Sequence, residues 1–196
     1  MAPTLRARFN FAVPNVIEPA TTGRAACRGC GQKIPKGELR FGESIPNAYA
    51  EGETTVWFHM LCAACARPAE FLEIASQDHA ELRALAEEGV AHRRLPRLLA
   101  AERAPSGRAR CRSCHELMDK GAWRLRLGIV EEGRMNPIGF IHVGCSEAYF
   151  ETRNVLGRIE RLTPELSESD RAEIGRALGP GLAKTSAPDG KQSMNG

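Results

Sequence analysis

Apolar positions along the chain change period several times, and each change marks an element. Leu5-Arg6-Ala7-Arg8-Phe9-Asn10-Phe11-Ala12-Val13 alternates and closes at Pro14, the pattern of a short strand. Ile34-Pro35-Lys36-Gly37 reads as a turn, Glu38 to Phe41 as a strand, 42–53 as a polar loop, and Thr54 to Phe58 as the returning strand. From Leu61 the chain becomes Ala-rich, which predicts a helix that Pro68 interrupts. Positions 77–103, with Leu82, Leu85, Val90, Leu95, Leu98 and Leu99, read as a helical spacer broken at Gly89 and Pro96. The strand pattern then returns at Trp123 to Val130 and at Ile138 to Val143, around a loop over 131–137. Gly144 to Asn154 reads as a helix, and a further one begins at Thr163-Pro164-Glu165 and stops at Gly179-Pro180-Gly181. Residues 184–196, which contain Ser, Gly and Asp, predict a disordered tail.

The second half of this pattern repeats the first. Gly23-Arg24-Ala25-Ala26-Cys27-Arg28-Gly29-Cys30 returns as Gly107-Arg108-Ala109-Arg110-Cys111-Arg112-Ser113-Cys114. His59-x2-Cys62 returns as His142-x2-Cys145. The inserts between Cys pair and His are 28 and 27 residues long. The expected organisation is a first module over 1–75 including the N-terminal strand, and a helical connector over 76–104. A second module at 105–155, a C-terminal helix at 156–182 and a tail at 183–196 complete it. The fold class is α+β, each module a short antiparallel sheet with a helix.

Composition sharpens the chemistry. With 42% hydrophobic residues and 196 positions, each module is too small to bury a core that stabilises it unaided. Seven cysteines leave one over in any disulfide scheme, and disulfides do not explain the paired histidines. Three thiolates and an imidazole form a closed four-ligand set suited to structural zinc, which contributes about 10–16 kcal/mol in finger peptides. The metal ligands are therefore Cys27, Cys30, His59 and Cys62 in one module, and Cys111, Cys114, His142 and Cys145 in the other: two zinc ions. Cys65 makes a second C-x2-C pair with Cys62, so an all-cysteine first site with His59 spare is the alternative. Four protein ligands leave no open position for a catalytic metal, and no nucleophile–base set stands out, which predicts a non-enzyme.

Net charge is only +3, but it is segregated. Residues 1–40 hold seven Lys/Arg and two acids, residues 93–112 seven and one, and residues 41–92 two and nine. Basic blocks at the Cys pairs point to an anionic partner. No apolar run suits a signal sequence or a membrane span, so an intracellular, reducing compartment is expected. Arg (22) over Lys (5) with much Ala suits a GC-rich genome: a bacterial cytoplasm or nucleoid, or else a nucleus.

The residues between the ligands carry a resemblance. Gly23-Arg24-Ala25, Ile34 to Gly42 and Trp57-Phe58-His59 resemble the zinc finger of poly(ADP-ribose) polymerases, also found on a nick-sensing vertebrate DNA ligase. The second copy keeps Gly107-Arg108-Ala109 and the ligands, but has Met118-Asp119-Lys120-Gly121 at the turn and Phe140 where the tryptophan stands. The resemblance implies phosphate contacts from Arg24, Arg40, Arg108 and Arg124. It also implies stacking on exposed bases by loop residues, here Tyr49 in the first module and Met135 and Ile138 in the second. The implied function is sequence-independent binding of DNA nicks, gaps and ends in repair or damage sensing, with a repair enzyme as partner and no membrane. Fewer than 50 residues follow the second module, so no catalytic domain is expected on the chain. The competing reading is a protein–protein adaptor, with zinc modules as scaffolds and Leu82 to Leu99 as a docking helix.

Overall fold

In the computed structural model the described residues are 14–47 and 49–179. The expected strand over 5–13, the tail over 183–196 and the last residues of the C-terminal helix lie outside them. Two antiparallel three-stranded sheets form, in order β1-β2-β3 and β4-β5-β6. The first comprises β1 (Val16–Pro19), β2 (Leu39–Pro46) and β3 (Glu53–His59). The second comprises β4 (Leu98–Arg103), β5 (Trp123–Glu131) and β6 (Arg134–His142). Helices α1 (Met60–Ala66) and α2 (Pro68–Ile74) follow the first sheet, then α3 (Ala80–Ala91). After the second sheet come α4 (Ser146–Phe150), α5 (Leu156–Leu162) and α6 (Glu168–Ala177).

Most of this follows from local chemistry. Pro68 is the first residue of α2, where its missing N–H costs nothing, so the break in the Ala-rich run divides α1 from α2. Phe41 and Phe58 face each other across the β2–β3 register, and Phe41 also meets Phe71 of α2, with centroids 6.3 and 5.9 Å apart. These three rings, all fully buried, are the heart of the first core. Leu125, Leu127, Ile141, Phe150, Ile159 and Ile174 build the second.

Four expectations are corrected. The spacer is not helical to its end: β2 and β5 each need an edge partner, and Leu98–Arg103 supplies one to β5 as β4. Its counterpart β1 pairs with β2 in the same way. The polar loop of the first module is shorter than expected, because β2 runs on to Pro46. In the second module the loop over 131–137 is only a turn, since Glu131 pairs with Arg134 and both Glu132 (φ 50°) and Gly133 (φ 68°) are left-handed, as in a tight I′ hairpin. Met135, expected on the loop, therefore lies on β6, and Ile138 lies within that strand and not at its start. Finally, the C-terminal region is two helices, and α6 begins at a capping box formed by Ser167 and Asp170, not at Thr163.

The two halves are packed together. The β5–β6 turn rests on the first sheet so closely that a Cβ at Gly133 would lie 2.7 Å from Ile45 Cδ1 and 2.8 Å from Val56 Cγ1. Val130 of the same hairpin joins the first core. On another side Arg158 of α5, 1% exposed, donates to the carbonyls of Cys65 (2.7 Å) and Leu85 (3.0 Å). It enters the first half as a cation held by one carbonyl near the C-terminus of α1 and one carbonyl of α3. Asn154–Glu88 and Arg161–Glu81 bonds flank it.

Candidate metal centres and nucleic-acid interface

Each Cys pair sits in a tight knuckle. In the first, Ala26 bridges Lys33 and the Gly31 N–H donates to the Cys27 carbonyl; in the second, Arg110 bridges Leu117 and the His115 N–H donates to the Cys111 carbonyl. The end of β3 brings His59 to the first knuckle and the end of β6 brings His142 to the second; the helical turn that follows each delivers the last cysteine. In each half the four ligand atoms lie within 4.8 Å of one another. His59 Nδ1 is 3.4 Å from Cys30 Sγ; His142 Nδ1 is 3.4 Å from Cys114 Sγ and 3.9 Å from Cys145 Sγ. Tetrahedral zinc with ordinary bond lengths sets sulfur–nitrogen edges of about 3.6 Å, so the cage fits the ion. In the first knuckle a Cβ at Gly29 would meet Cys62 Cβ at 2.8 Å, whereas the second knuckle has Ser113 at the matching position.

The surroundings fix the chemistry of each ligand. His59 Nε2 faces the Lys33 carbonyl and His142 Nε2 the Leu117 carbonyl, both at 3.3 Å. A carbonyl only accepts, so the proton sits on Nε2 and Nδ1 is free for the metal. Backbone N–H groups of Gly29 and His59 donate to Cys27 Sγ, and those of Ser113 and His142 to Cys111 Sγ, at 3.3–3.4 Å. Such bonds favour thiolates. Hydrogen bonding among the three first-site thiols lowers Cys30 while the same neighbours raise Cys62, so a dication is what lets all three ionise together. Two Cys3His clusters thus hold two zinc ions. Cys65 is 2% exposed on α1, its thiol raised by burial, and lies outside the cluster; His59 is the ligand.

The residues expected to meet DNA divide into three groups. Arg24 and Arg108, at the start of each knuckle, are exposed, and among the described residues neither makes an ion pair. Arg40 and Arg124 are each 6% exposed. Arg40 lies 3.4 Å over the Trp57 ring and pairs with Glu18 at 2.5 Å; Arg124 lies 3.5 Å over the Phe140 ring and pairs with Glu102. They are clasped between a carboxylate and an aromatic face, unlike the open cations expected from the sequence. The third group is the apolar residues. Tyr49 is 87% exposed at the β2–β3 loop, whereas Met135 and Ile138 are half-buried on β6, Ile138 against the second core.

Glu18 and Glu102 went unnoticed in the sequence. The signal was present: Glu18, Arg40 and Cys27 recur 84 positions on as Glu102, Arg124 and Cys111, so the whole ion pair is part of the repeat.

This is a zinc-finger protein, with two structural Cys3His modules of one build. Residues 18–88 match the family model "Poly(ADP-ribose) polymerase and DNA-Ligase Zn-finger region", and the chain carries a finger of that family there. Residues 111–145 hold the second cluster. Relatives include a poly(ADP-ribose) polymerase of Drosophila melanogaster, 26% identical over 215 residues, covering 94% of this chain and 21% of the fly protein. One from Sarcophaga peregrina is 25% identical over 200 residues, covering 85% and 20%. Poly(ADP-ribose) polymerase 1 of Gallus gallus is 29% identical over 133 residues, covering 57% and 13%. The chain spans about a fifth of the length of the first two. Among the described residues no helix is long and apolar enough to cross a membrane.

Proposed function

We propose that the two fingers bind DNA at strand breaks, reading backbone and exposed base stacks and not sequence. The observation that carries this is the repeated exposed arginine: Arg24 and Arg108 each stand three residues before the first zinc ligand, and among the described residues no carboxylate pairs with either. A guanidinium there can take a phosphate through two parallel bonds. The clasped Arg40 and Arg124 support this face by holding Trp57 and Phe140 behind it; either grips a phosphate only by releasing its glutamate. Tyr49 is the residue placed to stack on an end-exposed base pair, a contact worth about 1–3 kcal/mol and indifferent to sequence.

The described residues act in this reading as a binding unit associated with DNA, marking a break for a repair enzyme. The closed four-ligand sites are structural and offer no open coordination position. The adaptor reading loses its docking helix, because Leu95 and Leu98 are buried and the run is divided between α3, a turn and β4. Fluorescence anisotropy on nicked and intact duplexes across a salt series tests the proposal. Tighter binding to the nicked duplex, weakening steeply with salt, is expected; equal or absent binding to the two sinks it.

A further inference from the structure

The second module differs from the first in what its hairpin tip does. In the first, β2 and β3 are joined by the open loop 47–52, ordered by Asn47, whose N–H donates to the Gly52 carbonyl and whose Oδ1 accepts the Tyr49 N–H. In the second, β5 and β6 close in a two-residue turn, which is applied to the first sheet at Ile45 and Val56. Ile45 is next to the last residue of β2, so the turn abuts the base of the Tyr49 loop. Arg134, the residue after the turn, is exposed and donates to the Tyr49 hydroxyl at 3.3 Å. The turn offers a break no apolar side chain: it runs Glu131, Glu132, Gly133, Arg134.

We propose that the second module stacks on no base of its own and that its β5–β6 hairpin is an internal strut. It presents the Tyr49 loop of the first module and sets the angle between the two arginine-bearing knuckles. Arg134 is then a positioning residue acting through Tyr49. An exposed tyrosine on a free six-residue loop must be ordered when it binds; the strut supplies that order beforehand, which favours the bound state. This rests on the break-binding reading above.

The test uses the full chain and compares the nicked-to-intact affinity ratio in the wild type, Arg134→Ala, Arg134→Lys, Gly133→Val, Tyr49→Ala and Leu117→Ala. Zinc content is measured alongside. Arg134→Ala is expected to lower the ratio by about fivefold, and Arg134→Lys to restore part of it. Gly133→Val places a β-branched side chain at a left-handed position against Ile45 and Val56, and should abolish the nuclear Overhauser effects between residue 133 and Val56. It should bring the ratio close to that of Tyr49→Ala. If Gly133→Val fails to fold, seen as absent zinc, the exposed Arg134 variants decide. Leu117, the exposed apolar residue of the second knuckle, should be replaceable without effect on the ratio. Two results overturn the strut while leaving break binding standing: a wild-type ratio in Arg134→Ala, or loss of preference in Leu117→Ala. A wild type that does not distinguish the duplexes removes break binding itself, and the strut with it.

Discussion

At the scale of single residues, the same side-chain type plays opposite parts depending on its neighbours. Four arginines lie near the knuckles at repeated positions, yet two are open and two are clasped between glutamate and an aromatic ring. Arg24→Ala with Arg108→Ala should leave both modules folded and zinc-loaded. It should weaken DNA binding and reduce the slope of log K against log salt by about 2, one for each phosphate that an arginine no longer neutralises. Arg124→Ala should behave differently. It leaves half-buried Glu102 with only the longer 3.7 Å pair to Arg126 and takes the cation off the Phe140 ring, and should lower thermal stability, by about 1–3 kcal/mol. Thermal melts of the two proteins side by side separate a surface cation from a packed one. The distinction was not legible in the sequence, where each pair simply recurs in both copies, Arg24 and Arg108 ahead of the first cysteine and Arg40 and Arg124 on the strand after the second. What clasps Arg40 and Arg124 comes from strands paired across the sheet, and only the 84-residue recurrence of Glu18 and Glu102 hinted at it.

At the scale of elements, the knuckles and central strands were readable because short-range constraints set them. Ligand spacing, the Ile34-Pro35-Lys36-Gly37 turn and the Pro68 break each act over a few residues. The edge strands β1 and β4 were not, because Val16–Pro19 is too short for a period, and the Leu-rich run ending in β4 suits a helix equally well until β5 needs a partner. The β5–β6 turn was missed because glutamate rarely adopts the left-handed conformation that Glu132 has. The docking of α6 is a further case of long-range partnership: Arg103 of β4 reaches Glu173 at 2.6 Å and Asp170 at 3.3 Å. Glu173 is lowered chiefly by its bond from Arg103, and Asp170 by its bond from Ser167 and then by Arg103. A lowered carboxylate contributes stability above its unfolded-state value and loses it as pH falls through the folded one. The wild type should therefore lose stability on acidification below about pH 4.5, and Arg103→Ala should show a shallower loss. Melting temperatures at stepped pH check this, and identical acid limbs for the two proteins contradict it.

At the scale of the molecule, two zinc modules that the repeat suggested were separate units are held together. Arg158, buried and bonded to the carbonyls of Cys65 and Leu85, joins α5 to the first half, and the hairpin tip joins the other face. Neither contact leaves a trace in local sequence pattern, because each depends on how non-adjacent surfaces meet. Zinc removal from the first site should therefore propagate. Cys27→Ala is expected to unfold the first module and to lower the melting temperature of the second, since the Val130–Gly133 hairpin and Arg158 lose their seats. Calorimetry should show one cooperative transition in the wild type. Two well-separated transitions, with the second module unaffected in Cys27→Ala, would show that the halves melt independently.

The proposed recognition of a DNA discontinuity by this pair of fingers can be read nucleotide by nucleotide in a footprint. Hydroxyl-radical cleavage of a long duplex carrying one nick, with zinc-loaded protein added at moderate salt, maps protection to the nucleotide. Protection confined to a window spanning the nick, and abolished in the Arg24→Ala, Arg108→Ala protein, is the predicted result. Uniform protection along the duplex, or none at the nick, contradicts it.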